Sequence, residues 1–186
     1  RVGTLTGITA ITAGRDHGIA VRNDCTAWAG GDNTQGQLGD CTLTNRLSPV
    51  QVVGLTGASR VAAGAYHSLA IVTGGGVRAW GQNNFGQVGD GTLTRRTAPV
   101  AVPGVSGATF VAAGRQHSVA VVAGGALRAW GSNAAGQLGD GTTTDRSSPV
   151  AASGITGVVE VSAGRDHPVA HVPASNPPPP PPPDTT

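Results

Sequence analysis

The sequence predicts an all-β protein, a partial β-propeller of four-stranded antiparallel blades. This fold class follows from a repeat of 50 residues, from four short apolar runs in each repeat, and from the lack of any long segment in which apolar residues have a helical spacing. Glycine, proline and aspartate recur with the period, and so does histidine. The matching histidines are His17, His67, His117 and His167.

The period also sets the expected blade boundaries. Residues 61–110 match residues 111–160 at more than half of their positions without a gap. Four strands in roughly 40–50 residues are typical of a propeller blade. We therefore expect three full blades and two partial ones. The full blades are 11–60, 61–110 and 111–160; residues 1–10 end a blade and residues 161–172 start another.

Within the unit 61–110, each strand follows from a short apolar run bounded by Gly, Asn, Asp or Pro. These runs are 61–64, 68–72, 77–80 and 98–102. Three glycines at 74–76 indicate a turn, and the Gly-rich segment 83–92 indicates a long loop. Proline cannot donate to an inner ladder, so Pro99 predicts that the last strand lies at a sheet edge.

Three strings in this unit resemble the regulator of chromosome condensation repeat. Residues 63–70 read Ala-Gly-Ala-Tyr-His-Ser-Leu-Ala, residues 78–81 Arg-Ala-Trp-Gly, and residues 86–92 Gly-Gln-Val-Gly-Asp-Gly-Thr. The resemblance covers about residues 1–172. It implies a propeller, usually of seven blades, that recognises proteins through loops on one face. Known members are guanine-nucleotide exchange factors, ubiquitin-ligase modules and secreted bacterial inhibitors of β-lactamases; three full blades are too few to close such a ring.

Composition narrows the class of partner. The chain has 186 residues, a net charge of +2 and twelve basic residues, all of them scattered arginines. A nucleic-acid footprint needs a basic stripe or patch, so we expect no nucleic-acid partner. No apolar run is long enough to span a bilayer. The Lys-free, Gly-rich composition is typical of a bacterial member from a GC-rich genome, and with the proline tail it favours a secreted or cell-surface protein.

The periodic polar residues are interpreted as structural, because a repeat offers copies of one environment whereas a catalytic site needs unlike groups together. We expect each histidine to bond a backbone group or a neighbouring blade's loop, with a ring of metal-bound histidines as the weaker alternative. Each Gly-Asp-Gly-Thr loop has one aspartate, too few for calcium, and predicts a tight turn. The residues assigned such roles are the four histidines, Trp80, Trp130, Asp40, Asp90 and Asp140.

No nucleophile elbow, phosphate loop or zinc-protease motif is present in the sequence. We therefore predict that the protein is not an enzyme and uses no cofactor or metal. Arg46, Arg96 and Arg146 are expected to pair with the loop aspartates, with little effect on stability if the pairs are exposed.

The first unit departs from the others. Cys25 and Cys41 stand where the later units have glycine, and Gly30 stands where they have tryptophan, with Trp28 nearby. A strand of about six residues spans roughly 20 Å, whereas bridged Cα atoms lie within about 7 Å. This disfavours a disulfide within the blade and leaves intermolecular pairing or free thiols. Loss of a buried indole at Gly30 predicts either a cavity that Trp28 fills in part or a looser blade.

Loop residues vary on the repeated scaffold, which is typical of a recognition face. We therefore predict a non-enzymatic module that binds a protein of unknown identity, with Tyr66 and Phe85 as aromatic anchors. The candidate partner-binding residues are Asp16, Tyr66, Gln116, Asp166, Asn84 and Phe85.

The alternative is a structural subunit of an extracellular assembly or filament. Open blade edges invite pairing with another chain, and head-to-tail contacts give rings or filaments. In that homo-oligomer, residues 161–172 supply the early strands of a blade and residues 1–10 of a neighbour the last. The tail 173–186 contains seven consecutive prolines and is interpreted as an extended spacer or as a ligand for aromatic grooves.

Overall fold

Residues 5–173, the part of the chain that the computed structural model describes, form three four-stranded antiparallel sheets and one two-stranded sheet. The first sheet comprises β1 (Ile8–Ala13), β2 (His17–Arg22), β3 (Ala27–Gly31) and β4 (Arg46–Gln51). The second comprises β5 (Ala58–Ala63), β6 (His67–Val72), β7 (Gly76–Gly81) and β8 (Arg96–Ala101). The third comprises β9 (Phe110–Ala113), β10 (His117–Val122), β11 (Ala126–Gly131) and β12 (Arg146–Ala151).

The two-stranded sheet, called the half-sheet below, pairs β13 (Glu160–Ala163) with β14 (Pro168–His171). A short 3-10 turn, Ala123–Gly125, joins β10 to β11. The all-β fold class and the partial propeller of four-stranded blades are confirmed.

Strand order in each full sheet follows the sequence, so the first and last strands form its two edges. The first strands β1, β5, β9 and β13 contact one another in turn along the array. The last strands therefore form the outer edges, and they carry Pro49, Pro99 and Pro149. A strand at the outer edge has no second neighbour to which it must donate backbone hydrogen bonds, so proline is accommodated there.

The core lies between the sheets rather than inside any one of them. Successive residues of a strand face opposite sides, so a central strand presents one set of side chains to each neighbouring sheet. In β6, Ala70 packs toward the first sheet and Leu69 toward the third. Every residue from His67 to Ile71 is consequently buried, which explains why the strand reads as an unbroken apolar run.

The sheets begin before the expected unit boundaries. β1 starts at Ile8 and β5 at Ala58, each three residues ahead of the boundaries at 11 and 61. Residues 8–10 thus belong to the first strand of the first sheet and pair with β2, so they do not close a preceding blade or offer a last strand to a neighbour. No helix within residues 5–173 has the length and apolarity needed to cross a bilayer.

Candidate functional site

The loops that follow the first and third strands of each sheet emerge at the same end of the array. Antiparallel strands dictate this placement, and one backbone bond per sheet ties the two loops together. In each bond, a backbone N–H of the long loop donates to a backbone carbonyl of the short loop at 2.8 Å. The pairs are Asp32 to Asp16, Gln82 to Tyr66, and Ser132 to Gln116. We call this end the loop face; it consists of the short loops 14–16, 64–66, 114–116 and 164–166 and the long loops 32–45, 82–95 and 132–145.

All six candidate partner-binding residues lie on the loop face. Asp16, Tyr66, Gln116 and Asp166 occupy the same position in successive short loops, while Asn84 and Phe85 lie in the long loop of the second sheet. Asn84 is exposed and Phe85 is half-buried, with its backbone N–H donating to Gln87 Oε1 at 2.9 Å. The fold therefore gathers on one surface residues that are up to 150 positions apart in the chain.

Tyr66 is partly covered by an arginine from the first sheet. The Arg15 guanidinium lies 5.3 Å from the centre of the Tyr66 ring and donates a hydrogen bond to its hydroxyl. Arg15 also pairs with Asp16 at 3.2 Å. A cation over an aromatic face is stabilising and orders both groups. Tyr66 thus presents its ring edge beside the paired Arg15 and Asp16, rather than a bare aromatic surface.

The short loops also place arginines around the axis of the array, a feature that was not predicted from the sequence. A shallow depression of about 290 Å³ is lined by the same positions of all four sheets, and its rim carries Arg15, Arg115 and Arg165. Ala65 occupies the matching position in the second sheet. The signal was present in the sequence as a 50-residue recurrence at position 15, but only the fold shows that the recurrence surrounds an axis.

Each long loop is held by one buried asparagine. Asn83 Nδ2 donates to the carbonyls of Thr92 and Thr94 at 3.0 and 3.1 Å, and its Oδ1 accepts from the backbone N–H of Val88 at 2.9 Å. Asn33 and Asn133 make matching bonds in the other two sheets. Sequence reasoning missed this residue, although it recurs at the same period as the histidines.

The loop aspartates reinforce the same structure. Asp90 Oδ1 accepts from the N–H and hydroxyl of Thr92 at 3.0 and 2.8 Å, and Oδ2 pairs with Arg96 at 2.6 Å. The carboxylate side chain is only 7% exposed, so this pair is not the weak surface pair considered from the sequence. Burial raises the pKa of Asp90, but the hydrogen bonds from Thr92 and Arg96 outweigh it and leave the pKa below its ordinary value.

The periodic histidines connect neighbouring sheets. His17 Nε2 lies 3.0 Å from Ser68 Oγ, and His67 Nε2 lies 2.9 Å from Ser118 Oγ. The partner is thus a strand hydroxyl of the next sheet, which corrects the expected backbone group or loop. Ser68 gives its one hydroxyl proton to the Gln37 carbonyl at 2.8 Å, so the histidine must be the donor and carry its proton on Nε2.

Burial keeps these imidazoles neutral. Desolvation lowers the pKa of His67 to about 3. Desolvation also lowers the pKa of His17 to about 4, although the nearby negative charge of Asp32 acts to raise it. Desolvation likewise lowers the pKa of His117 to about 4. All three rings are closed to solvent, whereas His167 in the half-sheet is exposed. Of the four histidines to which the sequence assigned one structural role, three are buried, and two of these, His17 and His67, bond a serine of the next sheet.

The two tryptophans lie at the same junctions as the serines. Trp80 Nε1 donates to the Gln37 carbonyl at 2.8 Å, and Trp130 Nε1 donates to the Gln87 carbonyl at 2.9 Å. Each indole therefore enters the sheet that precedes it in the chain. Both are fully buried.

No sheet precedes the first sheet among residues 5–173, so the face that a preceding sheet covers in the later sheets is open here. Ile11 is 77% exposed, whereas Val111 at the same position in the third sheet is 5% exposed. The cavity expected at Gly30 is absent because no sheet covers that face. Trp28 does not replace the missing indole, since its N–H donates to Thr26 of the same sheet at 3.2 Å.

Cys25 and Cys41 are both exposed and are not joined in a disulfide. Their φ angles are +61° and +64°, a left-handed conformation in which the later sheets have glycine. Within residues 5–173 no three side chains of His, Cys, Asp or Glu are placed to share a metal ion.

The described strands match a family model more than once. The model of the regulator of chromosome condensation (RCC1) repeat matches residues 26–71, 74–121 and 125–170, and a second model of the same repeat matches residues 58–87 and 108–137. In the first model each unit spans the third and fourth strands of one sheet and the first two strands of the next. No curated protein matches the chain.

Solved structures show the same fold. The crystal structure of Prp20p from Saccharomyces cerevisiae is similar with a TM-score of 0.81 and 22% identity, over 92% of this chain and 45% of that one. Yeast RCC1 (Prp20) bound to Kap60 gives 0.81 and 23%, over 92% and 44%. Human WBSCR16 gives 0.54 and 20%, over 90% and 58%. The chain spans about half the length of these proteins.

Proposed function

Because the chain belongs to the regulator of chromosome condensation (RCC1) repeat family, we propose that it is a non-enzymatic module that binds a protein through its loop face. The observation that carries this proposal is the contrast on the loop face between fixed and varied residues. Beneath the surface, Asn83 and its equivalents make the same bonds in every full sheet. At the surface, the equivalent positions hold Asp16, Tyr66, Gln116 and Asp166.

A rigid scaffold that presents unlike side chains suits specific recognition. Ordered groups lose little conformational entropy on binding, and aromatic and arginine side chains contribute most to interface energy. The loop face supplies both kinds at one place, where Arg15 stacks on Tyr66 with Phe85 in the adjoining long loop of the same sheet. Arg115 and Arg165 lie around the same depression; Arg15 and Arg165 are each paired with the following aspartate at 3.2 Å, whereas Arg115 forms no such pair among residues 5–173. A partner surface that combines apolar groups with hydrogen-bonding groups fits this arrangement.

The chemistry of the buried groups supports a binding role rather than catalysis. A general base needs access to its substrate and a pKa near the working pH. His17 and His67 are closed to solvent, engaged with serines of the next sheet, and have pKa values lowered by burial to about 4 and 3. The hydrogen bonds between sheets account for the recurrence of these histidines, so no catalytic role is needed to explain it.

The solved relatives favour a protein as the class of partner. Prp20p binds Gsp1p and histones, and the second structure contains Kap60. Those partners belong to a protein of about twice this length and 22–23% identity. For this chain we propose only that the partner is a protein.

A pull-down with matched variants tests the proposal. Wild type and the double variant Tyr66→Ala/Phe85→Ala are immobilised, exposed to an extract of the source cells, and the retained proteins are identified by mass spectrometry. The control is Val53→Ala/Thr56→Ala, which removes two exposed side chains at the opposite end of the array. We expect a protein that wild type and the control retain and the loop-face variant loses by at least tenfold. Equal recovery on all three baits would overturn the proposal.

A further inference from the structure

At two junctions between sheets, a cleft in the earlier sheet holds a tryptophan side chain of the later sheet. At the first, the indole of Trp80 lies against Gly39, where an added Cβ would be 2.8 Å from Nε1, and beside Val52. The carbonyl of Gln37 accepts from both Trp80 Nε1 and Ser68 Oγ. The junction between the second and third sheets repeats these contacts. There Trp130 lies on Gly89, and the Gln87 carbonyl accepts from Trp130 and Ser118.

The third sheet has the same cleft without an indole. A cavity of about 340 Å³ is lined by Gln137, Leu138, Gly139 and Ala152, which correspond to residues that surround the indoles at the other two junctions, together with Pro168 of the half-sheet. An added Cβ on Gly139 would meet only Ala152, at 3.5 Å. The third sheet therefore has Gly139, which leaves room for an indole, but no indole of residues 5–173 fills the space.

The polar groups of this junction also lack their usual partners. Pro168 stands where Ser68 and Ser118 stand in the preceding sheets, so no hydroxyl reaches His117, whose Nε2 is buried without a hydrogen bond. No side chain of residues 5–173 donates to the Gln137 carbonyl in the way that Trp80 and Trp130 donate to Gln37 and Gln87.

The backbone beside the cleft is also unpaired. β14 pairs with β13 on one side, while its other side faces no strand in the described part of the chain. In the full sheets that side of the second strand pairs with β7 or β11, the strands that carry Trp80 and Trp130. The residues at the same spacing in the sequence, 176–181, read Asn followed by five prolines. Proline has no backbone N–H to donate and no indole.

A second copy of the chain does not bring the missing group either. In the first sheet, the positions of the inserted serine and tryptophan hold Gly18 and Gly30. Trp28 lies on β3, which is already paired on both sides by β2 and β4. The occupant must instead be a free strand with a tryptophan.

We propose that the β14 edge and the cleft at Gly139 bind an extended protein segment, supplied from outside these 186 residues, that carries tryptophan between small residues in an Ala-Trp-Gly pattern. The segment adds to β14 as a third antiparallel strand, its indole fills the cleft, and its Nε1–H donates to the Gln137 carbonyl. Addition of a strand to an open edge combines backbone bonds with a side-chain pocket. This site is separate from the loop face and does not depend on the function proposed for it.

The probe is a fluorescein-labelled peptide with the sequence of residues 125–131, Gly-Ala-Leu-Arg-Ala-Trp-Gly, titrated with the full chain and followed by fluorescence anisotropy. We expect saturable binding that weakens at least tenfold when the tryptophan of the peptide is replaced by alanine. On the protein, Ala152→Phe should fill the cleft and weaken binding by a similar factor. Ala152→Val, which supplies the residue found at Val52 and Val102, is the matched control and should bind as wild type does.

The outcomes distinguish the strand-binding site from the loop face. Tyr66→Ala/Phe85→Ala should bind the peptide normally, since the loop face is not involved. Absence of binding to wild type, or equal binding of the two peptides, would overturn the strand-binding site whether or not Ala152→Phe folds. Sedimentation as a concentration-dependent oligomer that Ala152→Phe abolishes would assign the cleft to a second copy and would overturn it as well.

Discussion

The junction between the second and third sheets and the junction between the third sheet and the half-sheet share one side and differ on the other. In both, the earlier sheet offers a buried histidine, a free carbonyl and a glycine-floored cleft. The later sheet fills these sites with Ser118 and Trp130 in the first case and with Pro168 alone in the second. The comparison teaches that each sheet is completed by its neighbour, so that stability belongs to junctions rather than to blades.

The largest effect expected from this comparison is a loss of stability in mild acid. The pKa values of His17, His67 and His117 are lowered by burial from 6.5 to about 3–4, so between pH 6.5 and about 4 the unfolded chain binds protons that the folded chain does not. Their contribution is complete above pH 6.5 and falls as the pH decreases, by about 1.4 kcal/mol per unit of pH for each group.

Urea unfolding at a series of pH values measures this loss. His67→Gln should reduce the slope of the unfolding free energy against pH by about one third, because one of three such groups is removed. Val53→Ala is the control and should leave the slope unchanged, since it alters an exposed side chain that does not titrate. A free energy of unfolding that stays constant from pH 7 to pH 4.5 would contradict the neutral, buried histidines.

Removal of an inserted indole should have the next largest effect. Trp130→Ala deletes a fully buried ring and leaves the Gln87 carbonyl without that donor, for which we expect a loss of about 3–5 kcal/mol. Trp28→Ala, on a half-buried indole at an uncovered face, should cost less than about 1 kcal/mol. Denaturant midpoints of the two variants would test the difference, and similar losses would show that the junction is not where the stability lies.

A serine at the junction between the third sheet and the half-sheet should increase the free energy of unfolding by a smaller amount. Pro168→Ser restores the residue that accepts from the histidine at the other two junctions, and it gives β14 a backbone N–H. We expect an increase of about 1 kcal/mol, the net contribution of a typical buried hydrogen bond. The same change in a His117→Ala background should give little of this increase. An equal gain in both backgrounds would attribute the effect to the backbone alone.

The smallest effect concerns the departures of the first sheet. Cys25 has a positive φ where Gly75 and Gly125 stand in the later sheets, and an L-residue there is strained. Cys25→Gly should therefore stabilise the chain by about 0.5–1 kcal/mol, the relief of strain being offset in part by the greater freedom of glycine when unfolded. Cys25→Ala removes the thiol but keeps the strain, so it should leave the thermal midpoint near that of wild type.

The strands were predictable because local patterns decide them. Short apolar runs ended by glycine gave the four strands of the unit 61–110, and Pro99 marked the outer edge. The strand starts were less accurate. Residues 58–60 and 8–10 are mostly exposed and pair through the backbone, so no apolar run marks them.

The contacts between sheets were not predictable from the same patterns. A recurring histidine shows that an environment repeats, but not that its partner is a serine 51 positions later in the next sheet. The same applies to Arg15, whose neighbour Tyr66 becomes visible only when the short loops are placed around one axis. Such contacts depend on how whole sheets lie side by side, which no single segment specifies.

The offset between repeat unit and sheet has a consequence for how such proteins lengthen. Each unit of the family gives two strands to the sheet behind it and two to the sheet ahead. The units 74–121 and 125–170 each bring an indole for the cleft of the previous unit, and the unit 74–121 also offers a cleft for the indole of the next. Duplication of one unit by recombination therefore inserts its own attachments on both sides, whereas local unfolding of one unit in place would open two sheets at once. Overlap of this kind makes growth of the array simple and its unfolding cooperative.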